Sequence, residues 1–369
     1  MRMKSINIQD FRNLVSSSLD FSPGINIFHG KNAQGKTNLL EAIYLLAHLS
    51  SFRTSRVTEL VSWEKKRSKV EGLVQVGEET HRLKISIGEG GRRLFVNDMM
   101  VKDPRDFFMG LRVIVFSPDQ VDIIKGNPSN RRKYLDRSAF RRSSEHLVRV
   151  RNYNKVLRNR NISLKEGRID LVDLYGRQLA RYGGVVADAR LKVVSQINEI
   201  LSEIYYSVVG VKNSVEIKYE SKWALDKEEN ISSMNEDVLE EKLYRSLKST
   251  TALDRARGYT GLGPHTDDVS FTLDGFSACR FASQGQVRSI MVSLNMTEYH
   301  ILQEILDDPP VVLLDDLSSE LDVSRRRSLL NYINELDGQA FVTTTDTNFL
   351  NNDVERKEFL VHDGVISSG

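Results

Sequence analysis

The pattern of hydrophobic and polar positions divides the chain into three stretches, and the first is rich in strands. Strand-length apolar or alternating patterns occur at 3–11, 25–30, 81–88 and 92–96. A helical pattern interrupts them at 35–50, where apolar residues recur at helical spacing: Leu39, Leu40, Ile43, Leu46 and Ala47. Residues 1 to about 120 therefore predict sheets with one clear helix.

The other two stretches differ from the first and from each other. Long helical patterns fill 125 to about 250, broken by a strand-like segment at 214–221. From 267 onward, strands alternate with helices that begin near Ser283 and Asp322. We predict an α/β domain made of residues 1–124 and 262–369, with a mainly helical insertion at 125–261.

Composition narrows the class of protein. The chain has 369 residues, 40% of them hydrophobic, which is enough for a sizeable core. The lone cysteine, Cys279, excludes a disulfide framework; we expect it to be packed in a strand rather than catalytic. The sequence has no run of about 18 apolar residues and no signal-peptide pattern at its amino terminus. We therefore expect a cytoplasmic protein without a membrane partner.

The strongest motif is GKNAQGKT at 30–37, which fits the G-x-x-x-x-G-K-[ST] phosphate loop between a strand and a helix. Glycines let backbone N–H groups converge on phosphates at a helix N-terminus. The lysine then reaches the β- and γ-phosphates, and the threonine hydroxyl takes one Mg²⁺ position. A chance glycine turn is the alternative. The flanking elements favour nucleotide binding by Gly30, Lys31, Asn32, Ala33, Gln34, Gly35, Lys36 and Thr37.

Two carboxylates end the apolar strand PVVLLDD at 310–316. A buried strand that ends in acid places that acid at the rim of a parallel sheet, where α/β folds bind ligands. We predict that Asp315 holds Mg²⁺ and that Asp316 lies beside the attacking water as a catalytic group, together with Lys36. The alternatives are an acidic turn, and Asp316 as a solvated neighbour of Asp315.

The segment FASQGQVRS at 281–289 begins a helix with a polar, flexible first turn. A helix N-cap by Ser283 explains this pattern without any phosphate. However, a phosphate loop, then Ser-x-Gly-Gln at a helix start, then a strand ending in acid, is an order that resembles the ABC ATPases. The resemblance implies that Ser283, Gly285 and Gln286 cap the nucleotide of a second subunit, with Ser283 contributing to catalysis in trans.

Stretches spread over nearly the whole chain resemble the bacterial RecF family of recombination-mediator ATPases. They are IQDFRN, GKNAQGKTNLLEAIYLLAHLSSFRTS, VFSPDQVDIIKGNPSNRRKYLD, GYTGLGPHTDDVSF, FASQGQVRS, VVLLDDLSSELD and FVTTTD. The resemblance implies an ABC-type P-loop ATPase head: a lobe I of mixed sheets and helices, an inserted helical lobe II, and no long coiled coil. It also implies slow hydrolysis of ATP with Mg²⁺, an ATP-dependent homodimer, sequence-independent binding to duplex or gapped DNA, and loading of RecA with RecR and RecO.

The resemblance also assigns individual residues. Arg12 and Asn13 match the amino-terminal segment that contacts the nucleotide, although Arg12 could also be a surface arginine. Gln120 matches the glutamine that links the two lobes at the metal site. Ser319, Glu320 and Asp322 match the loop that crosses the dimer interface. Thr345 and Asp346 stand where transporter ATPases carry a histidine that senses the γ-phosphate.

Residues 131–160 contain eleven Lys or Arg against two acids. A solvated helix is the ordinary interpretation of such charge, but solvated helices mix signs and this segment hardly does. We therefore predict contacts with the DNA backbone by Arg142, Arg149, Arg151, Lys155 and Arg158. Arg53 and Arg56, which follow the first helix, are further candidates for binding DNA or nucleotide.

Other classes have less support. The histidines and the cysteine lack metal-ligand spacing, and we expect His265 in GPHTDD to make a structural hydrogen bond. Another SMC-like ABC ATPase with a different DNA role stays open as an alternative. The basic segment and the length of the insertion argue against a transporter ATPase subunit, and the Ser283 motif argues against a small-molecule kinase.

Overall fold

A computed structural model describes residues 1–54, 56–108, 110–224, 234–306, 308–316, 337–345 and 356–368. Their contacts divide the chain into two units. Unit 1 comprises Met1–Gln120, Ser207–Gly210 and Arg288–Gly369, and unit 2 comprises Val121–Tyr206 and Val211–Val287.

The elements of the described residues follow in chain order. The strands are β1 (Arg2–Gln9), β2 (Ser17–Asp20), β3 (Ile25–His29), β4 (Arg67–Val76), β5 (Glu79–Gly88), β6 (Gly91–Val96), β7 (Met99–Val101), β8 (Val113–Phe116), β9 (Val215–Glu220), β10 (Asp268–Leu273), β11 (Phe276–Ser277), β12 (Val311–Leu314), β13 (Ala340–Thr344), β14 (Arg356–His362) and β15 (Val365–Ser368). The helices are α1 (Lys36–His48), α2 (Pro104–Phe107), α3 (Asp122–Lys125), α4 (Pro128–Arg142), α5 (Glu145–Lys165), α6 (Ile169–Val209), α7 (Glu236–Ser249), α8 (Thr251–Arg257), α9 (Ala278–Phe281) and α10 (Gln284–Ile305).

Unit 1 contains an antiparallel sheet with the strand order β2-β1-β4-β5-β6-β7. Buried and less buried positions alternate along β4 and β5, because one face of the sheet packs on the core. The sequence patterns at 3–11, 81–88 and 92–96 predicted β1, β5 and β6 of this sheet, whereas β2, β4 and β7 were not predicted.

The second sheet of unit 1 carries the order β15-β14-β3-β13-β12-β8. Apart from β15, neighbouring strands are parallel, so β3, β12 and β13 present their carboxyl ends at the same edge. Helix α1 joins both sheets in one apolar core, and every residue from Leu39 to Ala47 is buried. The sequence predicted a helix whose apolar residues recur at helical spacing; residues 39–47 are buried on all sides, because α1 packs against strands of both sheets.

Unit 2 is mainly helical and contains all but the last three of the 41 residues of α6. Strand β9 is the strand predicted at 214–221, and it pairs antiparallel with β10. Because of this pairing, 262–287 lies in unit 2, whereas the sequence assigned it to the α/β domain. Among the described residues, no helix is long and apolar enough to cross a membrane.

Candidate nucleotide site

The phosphate loop connects β3 to α1, as predicted, at the edge where the parallel strands end. Gly30 has a φ of 151°, and a Cβ there would lie 2.2 Å from the carbonyl oxygen of Val361, so a side chain cannot be accommodated. Gly35 caps α1 in the left-handed region. A glycine has no side chain with which to bond the N–H groups of the first turn, and these groups stay directed toward a ligand.

Lys36 is buried at the base of the loop and is 7% exposed. Its Nζ donates to the carbonyl oxygens of Gly30 at 2.6 Å and Lys31 at 2.8 Å. Burial lowers the pKa of the Lys36 amino group, while the nearby carboxylates of Asp316 and Asp315 act to raise it. An anionic phosphate in this loop would favour the charged form of the lysine.

The residues predicted to hold Mg²⁺ lie together. Thr37 Oγ1 donates to Asp315 Oδ1 at 2.7 Å, and Thr343 Oγ1 donates to the same oxygen at 2.9 Å. Burial raises the pKa of the Asp315 carboxyl, and the neighbouring charge of Asp316 adds to this effect. A hydroxyl and a carboxylate oxygen are donors that suit a hard divalent cation, and such a cation would offset the desolvation of the carboxylate.

Asp316 lines the same cavity as Lys36 and Thr37. Its backbone has a φ of 44°, an uncommon conformation for a non-glycine residue, and its N–H donates to Thr343 Oγ1 at 2.9 Å. Thr343 thus contacts both predicted acids. Backbone strain of this kind is held in place by its surroundings and is frequent at functional sites.

Arg12 and Asn13 lie on the turn between β1 and β2 and line the cavity. The Arg12 guanidinium donates to both carboxylate oxygens of Glu41, at 2.9 and 2.8 Å, and Glu41 is fully buried. This bidentate pair engages the Nε and Nη2 edge of the guanidinium, so Arg12 would not present that edge to a nucleotide. Asn13 Oδ1 accepts from Asn38 Nδ2 at 2.7 Å and so ties the turn to α1.

The cavity has a volume of about 990 Å³ and extends beyond the phosphate loop. Arg53 lines the cavity and donates to Asn38 Oδ1 at 2.9 Å. Of the two roles predicted for Arg53, this position favours nucleotide binding over DNA binding. Arg56 does not line the cavity among the described residues; its side chain is 80% exposed and lies 4.0 Å from Glu59. Trp63, which the sequence reasoning missed, lines the cavity and is 93% exposed. An aromatic residue in the polar segment SWEKK was the signal available for it.

In unit 2, Ser283 and Gln286 form a reciprocal cap at the start of α10. Gln286 N–H donates to Ser283 Oγ at 3.2 Å, and Ser283 N–H donates to Gln286 Oε1 at 2.9 Å. The N-cap that the sequence offered as an alternative is therefore present. Ser283 Oγ is an acceptor in this pair, which leaves the hydroxyl proton for another acceptor. Gly285 lies inside the capped turn.

Several predicted residues stand apart from the cavity. Gln120 Oε1 accepts from Asn295 Nδ2 at 2.8 Å, and Gln120 is not among the described residues that line the cavity. Thr345 is exposed just after β13. The remaining candidates lie outside the described residues: Ser319, Glu320, Asp322 and Asp346.

Part of the basic segment is interior to unit 2. Arg131 and Arg160 are buried and pair with Asp268 and Asp254, each at 2.8 Å or less. Arg142 donates to Gln196 Oε1 at 2.8 Å. The count of charges in the sequence therefore overstated the basic surface, because these cations have partners distant in the chain.

Helix α5 still presents a basic row. Arg151, Lys155 and Arg158 are exposed at positions i, i+4 and i+7, which share one side of a helix. The buried residues Tyr153 and Val156 lie on the other side. Arg149 is exposed but falls off this row.

His265 and Cys279 were both expected to be structural. His265 Nδ1 lies 2.6 Å from Tyr153 Oη and Nε2 lies 3.1 Å from the Thr260 carbonyl, in agreement with the predicted structural hydrogen bond. Burial lowers the pKa of the His265 ring, which favours the neutral form. The prediction for Cys279 was wrong: it is exposed in α9, because the chain turns into a helix after Ser277.

The fold and the site define an ATPase head of the ABC type, in the group that includes the SMC proteins. The family model described as the RecF/RecN/SMC N terminal domain matches residues 2–366. A solved SMC head bound to the C-winged helix domain of ScpA superposes with a TM-score of 0.58 at 14% identity, over all of this chain and 97% of that one, and shows the shared fold.

Within that group, the chain belongs to the RecF family. It is 38% identical to the DNA replication and repair protein RecF of Geotalea uraniireducens, over 99% of this chain and all of that relative. The DNA replication and repair protein RecF of Myxococcus xanthus is 35% identical, over 94% of this chain and 91% of that relative. A solved structure of the recombination mediator protein RecF-ATP in the RecFOR pathway has a TM-score of 0.90 at 32% identity, over all of this chain and 99% of that one. The predicted fold class is confirmed, and membership of this family argues against the transporter and kinase alternatives.

Proposed function

We propose that the chain is a DNA repair ATPase that dimerises on ATP, hydrolyses it slowly and helps to load the RecA recombinase on gapped DNA. The observation that carries this proposal is the 2.7 Å hydrogen bond from Thr37 to Asp315, which joins residues 278 positions apart beside Lys36. The relatives named DNA replication and repair protein RecF, and the RecF-ATP structure, support the choice of nucleotide and of pathway.

The triphosphate would lie on the loop of residues 30–37. Lys36 Nζ, now bonded to two loop carbonyls, would donate to the β- and γ-phosphate oxygens, and the uncapped N–H groups of α1 would face the same anions. The exposed indole of Trp63, which lines the same cavity, would offer a flat face to the adenine.

Thr37 and Asp315 would hold Mg²⁺, which when bound neutralises phosphate charge. In that state the Thr37 hydroxyl would direct its proton away from Asp315, so that the hydroxyl oxygen and the carboxylate oxygen would both be available to the cation. Asp316, fixed by the bond from its N–H to Thr343, would accept a proton from the attacking water.

Dimerisation would bring Ser283 of one copy to the nucleotide of the other. The Ser283 hydroxyl accepts from Gln286 and would donate its own proton to a γ-phosphate oxygen. Each subunit then lacks part of its site until ATP and the second copy are both present.

DNA would contact the row of Arg151, Lys155 and Arg158, whose spacing follows one helix face without an aromatic ladder for stacked bases among the described residues of α5. Action with RecR and RecO in the cytoplasm is supported by the family alone.

Two measurements on the unmodified chain test the proposal: calorimetric titration with ATP, and molar mass by light scattering with Mg²⁺, with and without ATP. We expect micromolar or tighter binding and a doubled mass only with ATP. If the mass stays single, a gapped duplex is added; a mass that is still single would remove the dimer from the proposal. Absence of ATP binding would remove the proposal as a whole.

A further inference from the structure

The molecule contains two hairpin turns of the same sequence and conformation. Asp363 and Gly364 join β14 to β15 with φ values of 47° and 77°, and Asp274 and Gly275 join β10 to β11 with φ values of 51° and 80°. Positive φ at both central positions is typical of the type I′ turn, for which Asp-Gly is a favoured sequence. The two turns therefore differ in their surroundings and not in their own chemistry.

The Asp363–Gly364 turn contacts the phosphate loop through both of its N–H groups. Asp363 N–H donates to Gln34 Oε1 at 2.6 Å, and Gly364 N–H donates to the Gln34 carbonyl at 3.0 Å. The Gly364 carbonyl in turn accepts from Val15 N–H at 2.9 Å, on the segment that carries Asn13. One turn thus links the two segments that border the nucleotide cavity.

The approach is close as well as hydrogen-bonded. A Cβ on Gly364 would lie 2.1 Å from the carbonyl oxygen of Asn13, a backbone atom that cannot rotate away. In β14 of the same hairpin, the Val361 carbonyl oxygen lies so close to the phosphate loop that a Cβ on Gly30 would be 2.2 Å from it. A Cβ on Gly275, by contrast, would meet no described atom within 4 Å.

We propose that Gln34 and Gly364 are positioning residues for the nucleotide, and that the Asp363–Gly364 turn braces the phosphate loop in its binding conformation. The inference rests on the proposed function, that the loop binds ATP. Lys31, Asn32 and Ala33 are exposed, so the loop needs support from outside its own segment. A loop held in its bound conformation loses less conformational freedom when the ligand binds.

The paired variants Gly364→Ala and Gly275→Ala test the brace. Both add a methyl group at the same positive φ, so both carry the same backbone strain, and Gly364→Ala alone meets the Asn13 carbonyl. We expect Gly364→Ala to weaken ATP binding at least tenfold, to weaken tripolyphosphate binding by a similar factor, and to raise KM while kcat stays within twofold. Gly275→Ala should bind both ligands as the unmodified chain does.

A second variant covers the case in which Gly364→Ala fails to fold. Gln34→Met keeps the volume of the side chain and removes the acceptor for Asp363 N–H. We expect a three- to tenfold loss of ATP affinity and faster hydrogen exchange at the amides of 31–33 in the ligand-free chain, with little change in the exchange of β4 and β5.

The outcomes separate this inference from the proposed function. If the unmodified chain binds neither ATP nor tripolyphosphate, the proposed function fails and the brace has no nucleotide to position. If the unmodified chain binds ATP and both Gly364→Ala and Gln34→Met bind it equally well, the proposed function stands and the brace is refuted.

Discussion

Two helices of this molecule begin at segments that the sequence assigned to phosphate, and their first turns are built differently. Helix α1 starts after Gly35, which has no side chain to bond the N–H groups of the turn. Helix α10 starts after Ser283, whose Oγ and backbone are both bonded to Gln286. A first turn without an internal partner is suited to bind an anion by its backbone, whereas a capped first turn presents a hydroxyl.

The starts of α1 and α10 are therefore suited to different roles at a nucleotide. The start of α1 lies beside Lys36, Thr37 and Asp315, so it can hold a nucleotide by itself. At the start of α10 the N–H groups of Ser283 and Gln286 are engaged in the cap, and the Ser283 hydroxyl proton would be offered to a phosphate bound by another subunit.

The largest effect should come from Lys36→Ala, which removes the cation at the first helix start. A hydrogen bond to a charged group contributes about 1.5–3 kcal/mol, and Lys36 should make two, so ATP affinity should fall about hundredfold or more. Calorimetry measures the loss, and Lys102→Ala is the control, because Lys102 is exposed and is not among the described residues that line the cavity. Unchanged affinity in Lys36→Ala would place the triphosphate elsewhere.

Ser283→Arg should abolish the ATP-dependent doubling of mass while ATP affinity of the single chain stays within about twofold, because the bulky cation blocks the second subunit and not the first site. Light scattering with Mg²⁺ and ATP reads the mass. Ser283→Thr keeps both the hydroxyl and the cap and should dimerise. A doubled mass in Ser283→Arg would leave the segment as a helix cap alone.

Asp316→Asn tests whether hydrolysis of ATP is needed to release Ser283 of one subunit from the nucleotide bound by the other. General base catalysis contributes about 10²–10⁴-fold, so turnover should fall at least about hundredfold, and the dimer should persist with ATP. Phosphate release and light scattering on the same sample measure both effects. Asp316→Glu, which keeps a carboxylate, should retain measurable turnover; full turnover in Asp316→Asn would make the residue a bystander.

A smaller effect is expected on DNA, whose binding would follow closure at Ser283. Replacing Arg151, Lys155 and Arg158 with Ala should reduce the slope of log affinity against log salt by up to about 2.7, because each lost phosphate contact contributes about 0.9. Titrations at several salt concentrations, with ATP, measure the slope. Arg142→Ala is the control, since Arg142 donates to Gln196, and an unchanged slope in the triple variant would move the DNA surface away from α5.

The smallest effect should come from Gln286→Ala, which removes half of the cap on α10. A whole cap contributes about 1 kcal/mol, and the Tm shift for a given free energy falls with chain length, so half a cap in a chain of 369 residues should lower Tm by about 1 °C. Gln286→Glu keeps an acceptor at this position and should restore the Tm. If Gln286→Ala lost the ATP-dependent doubling of mass although its Tm fell only slightly, Gln286 would contact the nucleotide directly.

The sequence predicted the phosphate loop and the acidic strand end because both depend on short spacings and on the rim of a parallel sheet. It did not predict the Arg12–Glu41 pair, since Glu41 reads as an ordinary helix position and its burial arises from packing between two sheets. Trp63 was missed because an aromatic residue in a polar turn has no motif.

The basic segment at 131–160 likewise contains residues whose partners could not be predicted from the sequence. Arg131 pairs with a residue 137 positions away and Arg160 with one 94 positions away, and local charge patterns carry no information about such partners. The predicted domain boundary at 262 differs from the observed one for the same reason: β10 pairs with β9, which lies within the predicted insertion.

The parallel sheet has a consequence for how the protein is made. The residues of β3 are synthesised early, yet both of its neighbours, β13 and β14, lie more than 300 positions later in the chain. At about 5–20 residues per second, a ribosome would finish these neighbours about 15–60 s after β3. Throughout that interval an apolar strand has no partner in its sheet, which is when chaperones would be needed. A chain cut short by interrupted translation would carry a complete phosphate-loop motif and no sheet to hold it.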